Sequence, residues 1–322
     1  MNVFRVRAPM PGFARTALAL LPFLLLLVGY LRMSAARLAE NPRDKLTPGP
    51  AQIAKGWDDV WKLRTEGYVE YKTAPGDTLA SVAARRSGSA AFAAEIRGAD
   101  GALPDGYVPR PGDILRVPRT ERRIVVDTIS SLKRLGAGVG VAVVVSVVLG
   151  ILMGAFTPVE SLLLHFVGGL AKLPPLAVLP IIFIFQGAGE SAKITIIALG
   201  IAPTMILDIV QRVREVPQEL VTKAYTLGAS TFEVVLRVLA PIAWPSVLTS
   251  IRLALGPAWV YLIASEAISA DSGLGYRIFI VQRQLGMNII LIYILWIMTL
   301  GLAFDALLRG WIAWRCKWAA QP

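Results

Sequence analysis

The chain lacks the residues that metal centres and disulfides require. Among its 322 residues there is one cysteine, Cys316, and one histidine, His165. A single cysteine excludes an internal disulfide and any metal site built from several cysteines. His165 lies inside an apolar run, which is typical of a packed helix residue. The phosphate-binding pattern GxxxxGK[ST] is also missing. We therefore expect neither a cofactor nor a catalytic centre.

Charge is scarce as well. Charged residues make up 17% of the chain and apolar residues 55%, whereas soluble domains carry roughly 25% charged residues. The net charge is +11, but basic and aromatic residues do not alternate along a face, so nucleic-acid binding is not expected. The basic excess fits loops beside anionic membrane lipid. Because the apolar residues come in blocks that can cross about 30 Å of hydrocarbon, the composition predicts an integral membrane protein.

The apolar blocks predict an all-α polytopic protein with six transmembrane helices. Their approximate bounds are residues 16–33, 136–156, 159–185, 194–210, 246–269 and 289–308. The two prolines of KLPP, at residues 172–175, break the third block into a half-helix and a short span. The chain thus divides into a first helix with its N-terminal segment (1–33), a linker with one helix (34–67), a small inserted domain (68–119) and a five-helix core (120–322).

Glycines in the second block favour close helix contact. Gly136 with Gly140, and Gly150 with Gly154, are spaced four residues apart, so each pair shares a helix face. Small residues let helix backbones approach each other in lipid. We expect both pairs at a helix interface.

Basic residues predict that both termini are cytoplasmic. Arg5, Arg7 and Arg15 precede the first block, and the basic run RGWIAWRCKW closes the chain. The first block is long enough to be retained as a span rather than cleaved as a signal peptide. Lys133 and Arg134 fall on the outer side, against the positive-inside rule. That rule weakens for loops longer than about 60 residues, so the topology is kept and the insert is placed outside.

The segment between the fourth and fifth blocks predicts a helix–glycine–helix hairpin at the cytoplasmic face. In REVPQELVTKAYTLGASTFEVVLRVLAP, Pro217 suits the first turn of a helix and Gly228 suits its left-handed end. Glu219 lies near the positive end of the dipole of that helix. Three apolar residues are expected to share one face: Leu220, Ala224 and Leu227.

A second helix is expected after the glycine. Ser230 and Glu233 have the spacing of a capping box, and Pro241 and Pro245 are expected to end the helix. Its apolar side comprises Phe232, Val235, Leu236 and Leu239. The hairpin is too polar to span a membrane and too apolar for a solvated loop. We therefore expect it to press a rigid helix, at about residues 215–241, into a groove on a soluble partner.

This run resembles the EAA motif of ABC-importer permeases, E-A-A-x-x-x-G-A followed by a hydrophobic end and a proline. At the corresponding positions stand Thr222, Lys223 and Ala224, then Gly228 and Ala229, then Val238 to Pro241. The resemblance implies that a cytoplasmic ATPase contacts Glu219, Thr222, Lys223, Ala224, Gly228, Ala229 and Pro241. The leading glutamate of the motif is missing, so an ion pair to the ATPase would come instead from Glu219, Lys223 or Arg214.

More of the core, from residue 128 to the C-terminus, resembles the nitrate/sulfonate/taurine branch of these permeases. The stretches that carry the resemblance are SSLKRLGAGVGVAVVVSVVLGILMG, LPPLAVLPIIFIFQGAGESAKI, the hairpin, and IRLALGPAWVYLIASEAISADSGLGYRI. It implies a type I importer fold in a bacterial inner membrane, two permease subunits around one pathway, two cytoplasmic ATPases and an extracytoplasmic substrate-binding protein. It also implies a small oxyanion or organic anion as the solute. A homodimer is expected, with a heterodimer as the alternative.

The insert at residues 68–119 predicts a βααβ unit whose end strands pair. Two Pro-Gly-Asp turns punctuate it. The stretch GDTL, the helix after it and the closing PGDILRVP resemble a LysM domain, a family that binds the N-acetylglucosamine backbone of peptidoglycan or chitin. The asparagine usual after the second helix is not evident at Gly98, Ala99 or Asp100. Binding of peptidoglycan, docking of the binding protein and bracing of the permease are the alternatives for this domain.

One ionisable residue, Glu266, is the firm candidate within a predicted span. It would line the pathway or a gate, or pair with hydrogen-bond donors on a neighbouring helix. Phe183, Phe185 and Gln186 are expected at the edge of the pathway, and Glu190 and Lys193 in a solvated outer loop. A secondary transporter would need more intramembrane charges for ion coupling. That class and a membrane-anchored peptidoglycan-binding protein are the alternatives to an importer permease.

Overall fold

The computed structural model describes residues 12–42, 44–62, 68–87, 90–98, 101–104, 106–118 and 121–317. Arg5 and Arg7, on which the predicted topology partly depends, lie outside the described residues, as do Ala99 and Asp100.

The described residues form twelve α-helices and four short strands. In chain order the helices are α1 (Gly12–Glu40), α2 (Pro50–Lys62), α3 (Leu79–Ser87), α4 (Arg123–Ala155), α5 (Thr157–Lys172), α6 (Pro175–Gln186), α7 (Glu190–Arg214), α8 (Gln218–Thr226), α9 (Thr231–Val234), α10 (Ala240–Ser269), α11 (Leu274–Gln282) and α12 (Met287–Arg315). A 3-10 turn, Ala90–Glu95, follows α3, and a π-helical segment, Val235–Leu239, joins α9 to α10. The strands are β1 (Tyr68–Lys72), β2 (Arg97–Gly98), β3 (Gly101–Ala102) and β4 (Ile114–Pro118).

Five helices are long and apolar enough to cross a membrane: α1, α4, α7, the continuous helix from α9 through α10, and α12. A sixth span is formed if α5 and α6 count as one, and these two helices are bent by 98° where they meet. The bend falls at Pro174 and Pro175, where the sequence predicts a break. The helical, polytopic architecture is therefore confirmed with five to six candidate spans, six being reached if α5 and α6 form one broken span.

Helix α7 lies at the centre of the core and packs closely on α4. Every fourth residue on the contacting face of α4 is small and buried or closely packed: Gly138, Ala142, Ser146, Gly150 and Gly154. A Cβ added at Gly150 would lie 2.6 Å from Cγ2 of Ile209 on α7, so only glycine permits this approach. The predicted pair of Gly136 and Gly140 is wrong. Neither has an atom within 4 Å of an added Cβ, because the interface follows the row of residues that begins two positions later.

The second hairpin helix was predicted to end at Pro241 and Pro245, and this prediction is wrong. It continues from Thr231 to Ser269 as one span. Within the π-helical segment the N–H of Ala240 donates to the carbonyl of Val235, five residues back. A proline clashes with the preceding helical turn and has no N–H to donate. The wider turn just before Pro241 allows the helix to pass the proline instead of stopping.

The inserted domain is a four-stranded sheet of order β1–β4–β2–β3 with α3 and the 3-10 turn packed on it. As predicted, the two end strands pair antiparallel, with Tyr68 opposite Pro118 and Lys72 opposite Ile114. The second predicted helix is the 3-10 turn. A small separate core of this domain comprises Val82, Ala83, Ile96, Leu115 and Val117.

One seven-residue turn occurs twice in this domain, at residues 71–77 and 107–113. In each copy the final aspartate accepts from the hydroxyl of the tyrosine six residues earlier. It also accepts from a backbone N–H three residues earlier, that of Ala74 at 2.8 Å or Arg110 at 2.9 Å. Thr73 joins the two turns, since it donates its N–H to the second turn at 2.9 Å and accepts from it at 3.0 Å. The two Pro-Gly-Asp turns are thus hydrogen-bonded to each other through Thr73.

Helix α2 fastens the linker to the N-terminal part of α12. Gly56 permits the contact, because an added Cβ would lie 3.1 Å from Cδ1 of Ile292. The rings of Trp61 and Trp296 meet edge to face with centroids 5.9 Å apart. The linker helix therefore packs on the membrane core.

Candidate functional sites at the two membrane faces

The first candidate site is the hairpin of α8 and α9. Pro217 immediately precedes α8, one residue outside the predicted first turn, and its carbonyl accepts from the N–H of Leu220 at 3.0 Å. At the other end Gly228 adopts φ +86°, the left-handed conformation predicted for it. The N–H of Gly228 donates to Tyr225 at 2.9 Å, and that of Ala229 donates to Ala224 at 3.0 Å. These two bonds form a Schellman motif.

The Schellman motif explains the spacing of the EAA-like residues. In this motif the residue after the glycine makes an apolar contact with the residue that accepts its N–H. Those two residues are Ala229 and Ala224, and both pack on the hydrophobic core. Larger side chains at either position would lift the hairpin from the core. The second alanine of E-A-A and the alanine of G-A are thus the two sides of one contact.

The apolar face of α8 is not the predicted one. Val221 and Ala224 face the core, whereas Leu220 is 38% exposed and Leu227 is 88% exposed. On the second arm Phe232 is 71% exposed. The helix is held by one apolar face and presents large apolar side chains on another. Such an exposed patch on a rigid support is typical of a protein-docking surface.

The second arm has the predicted capping box. Ser230 accepts from the N–H of Glu233 at 3.4 Å, and Glu233 accepts from the N–H of Ser230 at 3.1 Å. Glu219, Thr222 and Lys223 are exposed on α8. Arg214, one of the predicted substitutes for the missing glutamate, forms an ion pair with Glu160 at the start of α5. Arg214 therefore braces two helices.

The second candidate site is a buried ionic cluster at the opposite face. Glu266 on α10 is 0% exposed. It accepts from Nη1 of Arg134 at 2.7 Å, from Oγ of Ser131 at 2.8 and 2.9 Å, and from the N–H of Gly275 at 2.9 Å. Gly273 is also pressed against the carboxylate, since an added Cβ there would lie 2.5 Å from it. Glu266 thus pairs with neighbouring donors, one of the two predicted alternatives. Its role in the pathway stays a prediction.

Arg134 ties three helices together. Besides Glu266, it donates from Nε and Nη2 to Glu190 on α7, at 2.6 and 2.9 Å. Lys193 also donates to Glu190 at 2.9 Å and is itself 3% exposed. The prediction that Lys193 is solvated is therefore wrong, because the first turn of α7 packs against the ends of its neighbours. One feature of the sequence points to the cluster, because an arginine against the positive-inside rule needs a buried partner.

A further ion pair beside it was not predicted from the sequence. Asp127 on α4 is 1% exposed. It accepts from Nε of Arg277 at 2.9 Å, from the hydroxyl of Tyr293 at 3.2 Å and from the N–H of Gly273 at 3.0 Å. Together with the Glu266 cluster, this pair joins α4, α7, α10, α11 and α12 at one face of the bundle. The arrangement can hold these helix ends in one fixed geometry.

The other predicted pathway residues lie on α6. Phe183 is partly buried and packs on the core, whereas Phe185 is 84% exposed. The side-chain oxygen of Gln186 accepts from the hydroxyl of Thr195 at 3.0 Å. Their place along the pathway stays a prediction.

Glu266 is not the only ionisable residue in the spanning helices, contrary to the sequence-based expectation. Asp208 on α7 accepts from Ser250, and Asp305 on α12 pairs with Arg252 and Arg309. These groups lie toward the ends of their helices opposite the Glu266 cluster. Residues 194–207 of α7, between the two levels, carry no charge. The charges therefore form two separate layers and no continuous relay along α7.

A bundle of candidate spanning helices with a hairpin at one face defines a polytopic membrane protein. Residues 146–311, slightly more than half of the chain, match the family of binding-protein-dependent transport system inner membrane components, and the chain belongs to this family.

Curated relatives agree with this assignment. A probable ABC transporter permease protein of Brucella melitensis biotype 1 is 34% identical over 206 residues, which cover 63% of this chain and 84% of the relative. The taurine transport system permease protein TauC of Escherichia coli K12 is 36% identical over 46% of this chain and 54% of its own length. The bicarbonate transport system permease protein CmpB of Synechococcus elongatus is 28% identical over 60% of this chain and 68% of its own. Among solved structures, a chain of the inward-facing MetNI methionine ABC transporter has a TM-score of 0.49 and 18% identity over 57% of this chain and 94% of that chain.

The chain is thus a permease subunit of the ABC-importer class and not an enzyme. The secondary-transporter and anchored-peptidoglycan-binder alternatives do not describe the core. The LysM resemblance of the inserted domain stays a prediction.

Proposed function

We propose that this permease carries a small oxyanion or organic anion across the bacterial inner membrane. Support comes from the names of its relatives, since TauC serves taurine transport and CmpB bicarbonate transport, and both solutes carry a small anionic oxygen group, a sulfonate or a bicarbonate. In this proposal both termini and the hairpin are cytoplasmic, and the inserted domain is outside. The basic ends of α7 and α12, with Arg212, Arg214 and Arg315, support that orientation by the positive-inside rule.

The hairpin is proposed to couple the permease to a cytoplasmic ATPase. One observation carries this: Leu227 and Phe232 are 88% and 71% exposed at the end of a hairpin that Ala224 and Ala229 anchor to the core. Large apolar side chains at the centre of an interface supply most of its binding energy. Because the hairpin is anchored to the core, it would transmit a movement of the ATPase directly to α7 and α10.

Gly228→Val tests the coupling. An added Cβ at Gly228 meets nothing within 4 Å, so the substitution acts through φ +86°, which β-branched residues disfavour strongly. We expect membrane insertion to persist while substrate-stimulated ATP hydrolysis and uptake fall at least tenfold. Gly228→Asn, which tolerates this conformation, should retain most of both.

The matched control for this test is Gly140→Val, the same chemical change at another open position. It should leave ATP hydrolysis and uptake unchanged. Normal transport by Gly228→Val would show that the hairpin does not couple the two proteins.

A second copy of the chain is proposed to complete the pathway. One chain supplies up to six spans, which do not readily enclose a gated passage, and its described residues contain one permease-like half. Native mass spectrometry of the purified complex should find two copies. One copy beside a different permease chain would indicate the heterodimer instead.

The inserted domain is proposed to dock the substrate-binding protein or to brace the permease, with peptidoglycan binding as the alternative. Because β1 and β4 pair, its ends lie side by side, and residues 68–118 can be replaced by a short Gly/Ser loop. If the domain docks the binding protein, ligand-stimulated ATP hydrolysis should fall in proteoliposomes, where no cell wall exists. Unimpaired stimulation, together with strong binding of peptidoglycan by the intact protein, would favour the glycan role.

A further inference from the structure

A cleft of about 500 Å³ opens between α10 and α12, at the end of the bundle opposite the Glu266 cluster. Its walls combine apolar side chains with hydroxyls and two arginines. The residues lining it are Ile242, Pro245, Ser246, Thr249, Arg252, Arg309, Ile312, Ala313 and Cys316. These side chains belong neither to the hairpin of α8 and α9 nor to the Glu266 cluster.

The cleft lies at the level of the lipid headgroups. Asp305 follows the start of α12 by about 18 residues, or about 27 Å of helix, close to the 30 Å thickness of the hydrocarbon core. Beyond it, Trp311 and Trp314 are 44% and 68% exposed. Exposed tryptophans mark the boundary between hydrocarbon and headgroups. The arginines of the cleft therefore lie where phosphates of the bilayer are found.

The charge of the cleft favours an anion. Arg252 and Arg309 share one acidic partner, Asp305, at 3.5 and 2.7 Å. The residues after Arg309 add Arg315, at the end of α12, and Lys317 beyond it, without another acidic residue up to that point. One positive charge of the trio is thus left without a carboxylate, and more lie close by. A phosphodiester would balance it.

Arg252 is incompletely satisfied by the protein. Its Nε is buried, and its ion pair with Asp305 at 3.5 Å lacks hydrogen-bond geometry. A buried N–H of a guanidinium without an acceptor is costly. The arginine lines the cleft, where a ligand oxygen can supply an acceptor for its guanidinium.

We propose that this cleft binds an anionic phospholipid, with the phosphodiester held by Arg252 and Arg309. Ser246 and Thr249 offer hydroxyl donors to the headgroup. Ile242, Pro245 and Ile312 form an apolar wall for the start of an acyl chain. Basic clefts between spanning helices at the membrane boundary are suited to such headgroups. The proposal depends on the level of the cleft along the membrane normal and on its charge. It holds for either orientation of the chain in the membrane.

The test is lipid retention by the full chain in detergent, measured by native mass spectrometry with phosphatidylglycerol and phosphatidylcholine of equal acyl length. The unmodified chain should retain phosphatidylglycerol in preference. Arg309→Gln should weaken that retention about fivefold, the ratio that corresponds to about 1 kcal/mol for one basic residue at a membrane surface. Ala313→Phe, which narrows the cleft without changing charge, should weaken it as well.

Arg237→Gln is the matched control, because Arg237 also pairs with an acidic residue one helical turn away, Glu233, but lies outside the cleft. It should retain phosphatidylglycerol as the unmodified chain does. Equal losses in Arg237→Gln and Arg309→Gln would reveal nonspecific attraction and overturn the proposal. So would full retention by Arg309→Gln. Displacement of the lipid by millimolar inorganic phosphate would identify a free-phosphate site instead, and binding of a second protein copy at the cleft would identify an interface.

Discussion

Replacing Arg134 by methionine should destabilise the permease more than any single change at its surface. Arg134 is 6% exposed and donates to Glu266 and Glu190 on two other helices. Methionine fills a similar volume but leaves the carboxylate of Glu266, which is 0% exposed, without a cation. Breaking a buried ion pair by removing one partner costs about 3–5 kcal/mol, because the remaining charge is uncompensated. We expect a loss of that size in the free energy of unfolding.

The control is Arg237→Met, the same substitution at an exposed ion pair. Arg237 pairs with Glu233 at 3.2 Å, and their side chains are 78% and 41% exposed, so water can replace what is lost. Exposed pairs contribute about 0.2–1 kcal/mol. The two substitutions thus remove the same cation and differ in the burial of the carboxylate that is left behind.

Unfolding in mixed micelles, followed by tryptophan fluorescence on titration with a denaturing detergent, measures both losses. The double variant Arg134→Met with Glu266→Gln removes the stranded charge. It should therefore be destabilised by at least about 1 kcal/mol less than the sum of its single changes. An Arg134→Met loss no larger than that of Arg237→Met, or a simply additive double variant, would contradict the assigned buried ion pair.

Two further predictions concern the helix interface and the inserted domain. Gly150→Val should disrupt the contact of α4 with α7 and lower the yield of folded protein severalfold. Gly140→Val should not lower the yield, because the space around an added Cβ is open. Equal yields would contradict the assigned interface. In the inserted domain, hydrogen bonds from Tyr107 and the N–H of Arg110 lower the pKa of Asp113 below its ordinary value. Stability from this group is therefore present above its unfolded pKa, about 3.9, and is lost as the pH falls through the lower folded value. Hydrogen exchange of residues 106–118 should rise below about pH 4. Asp113→Asn should raise it already at pH 7 and weaken the further rise at low pH, to which Asp77 of the first turn still contributes.

The sequence predicts the hairpin well because the interactions that shape it are local. The left-handed Gly228 and the capping box of Ser230 and Glu233 each involve residues within a few positions of one another. What fails is the choice of face. Leu220 and Val221 are equally apolar, and only the position of the core decides which one is buried. Likewise, nothing in the local pattern shows that a π-turn carries the helix past Pro241.

The Glu266 cluster and the Asp127 pair cannot be predicted from local patterns, because their partners are far apart in the sequence. Arg134 and Glu266 are 132 residues apart in sequence, and Asp127 and Arg277 are 150 apart. Neither partner has a sequence signature of its own. The one usable signal is thermodynamic: a cation in a spanning helix must be paired. Arg134 can therefore be predicted to have an acidic partner. Which acidic residue of three helices is that partner cannot be predicted from the sequence.

The glutamate missing from the EAA-like motif leaves that position of α8 without a charge. Thr222, at that position, turns its hydroxyl back to the carbonyl of Gln218 at 3.1 Å, so it presents no charge to a partner. Glu219 lies three residues earlier, on the same side of α8 and one turn closer to its start, where the helix dipole favours a negative charge. A carboxylate at Glu219 is therefore displaced along the helix by about 4.5 Å from the position of the usual one. If an ATPase docks on α8, its matching cation must be displaced by the same distance, and a partner built for the usual motif would pair poorly with this permease.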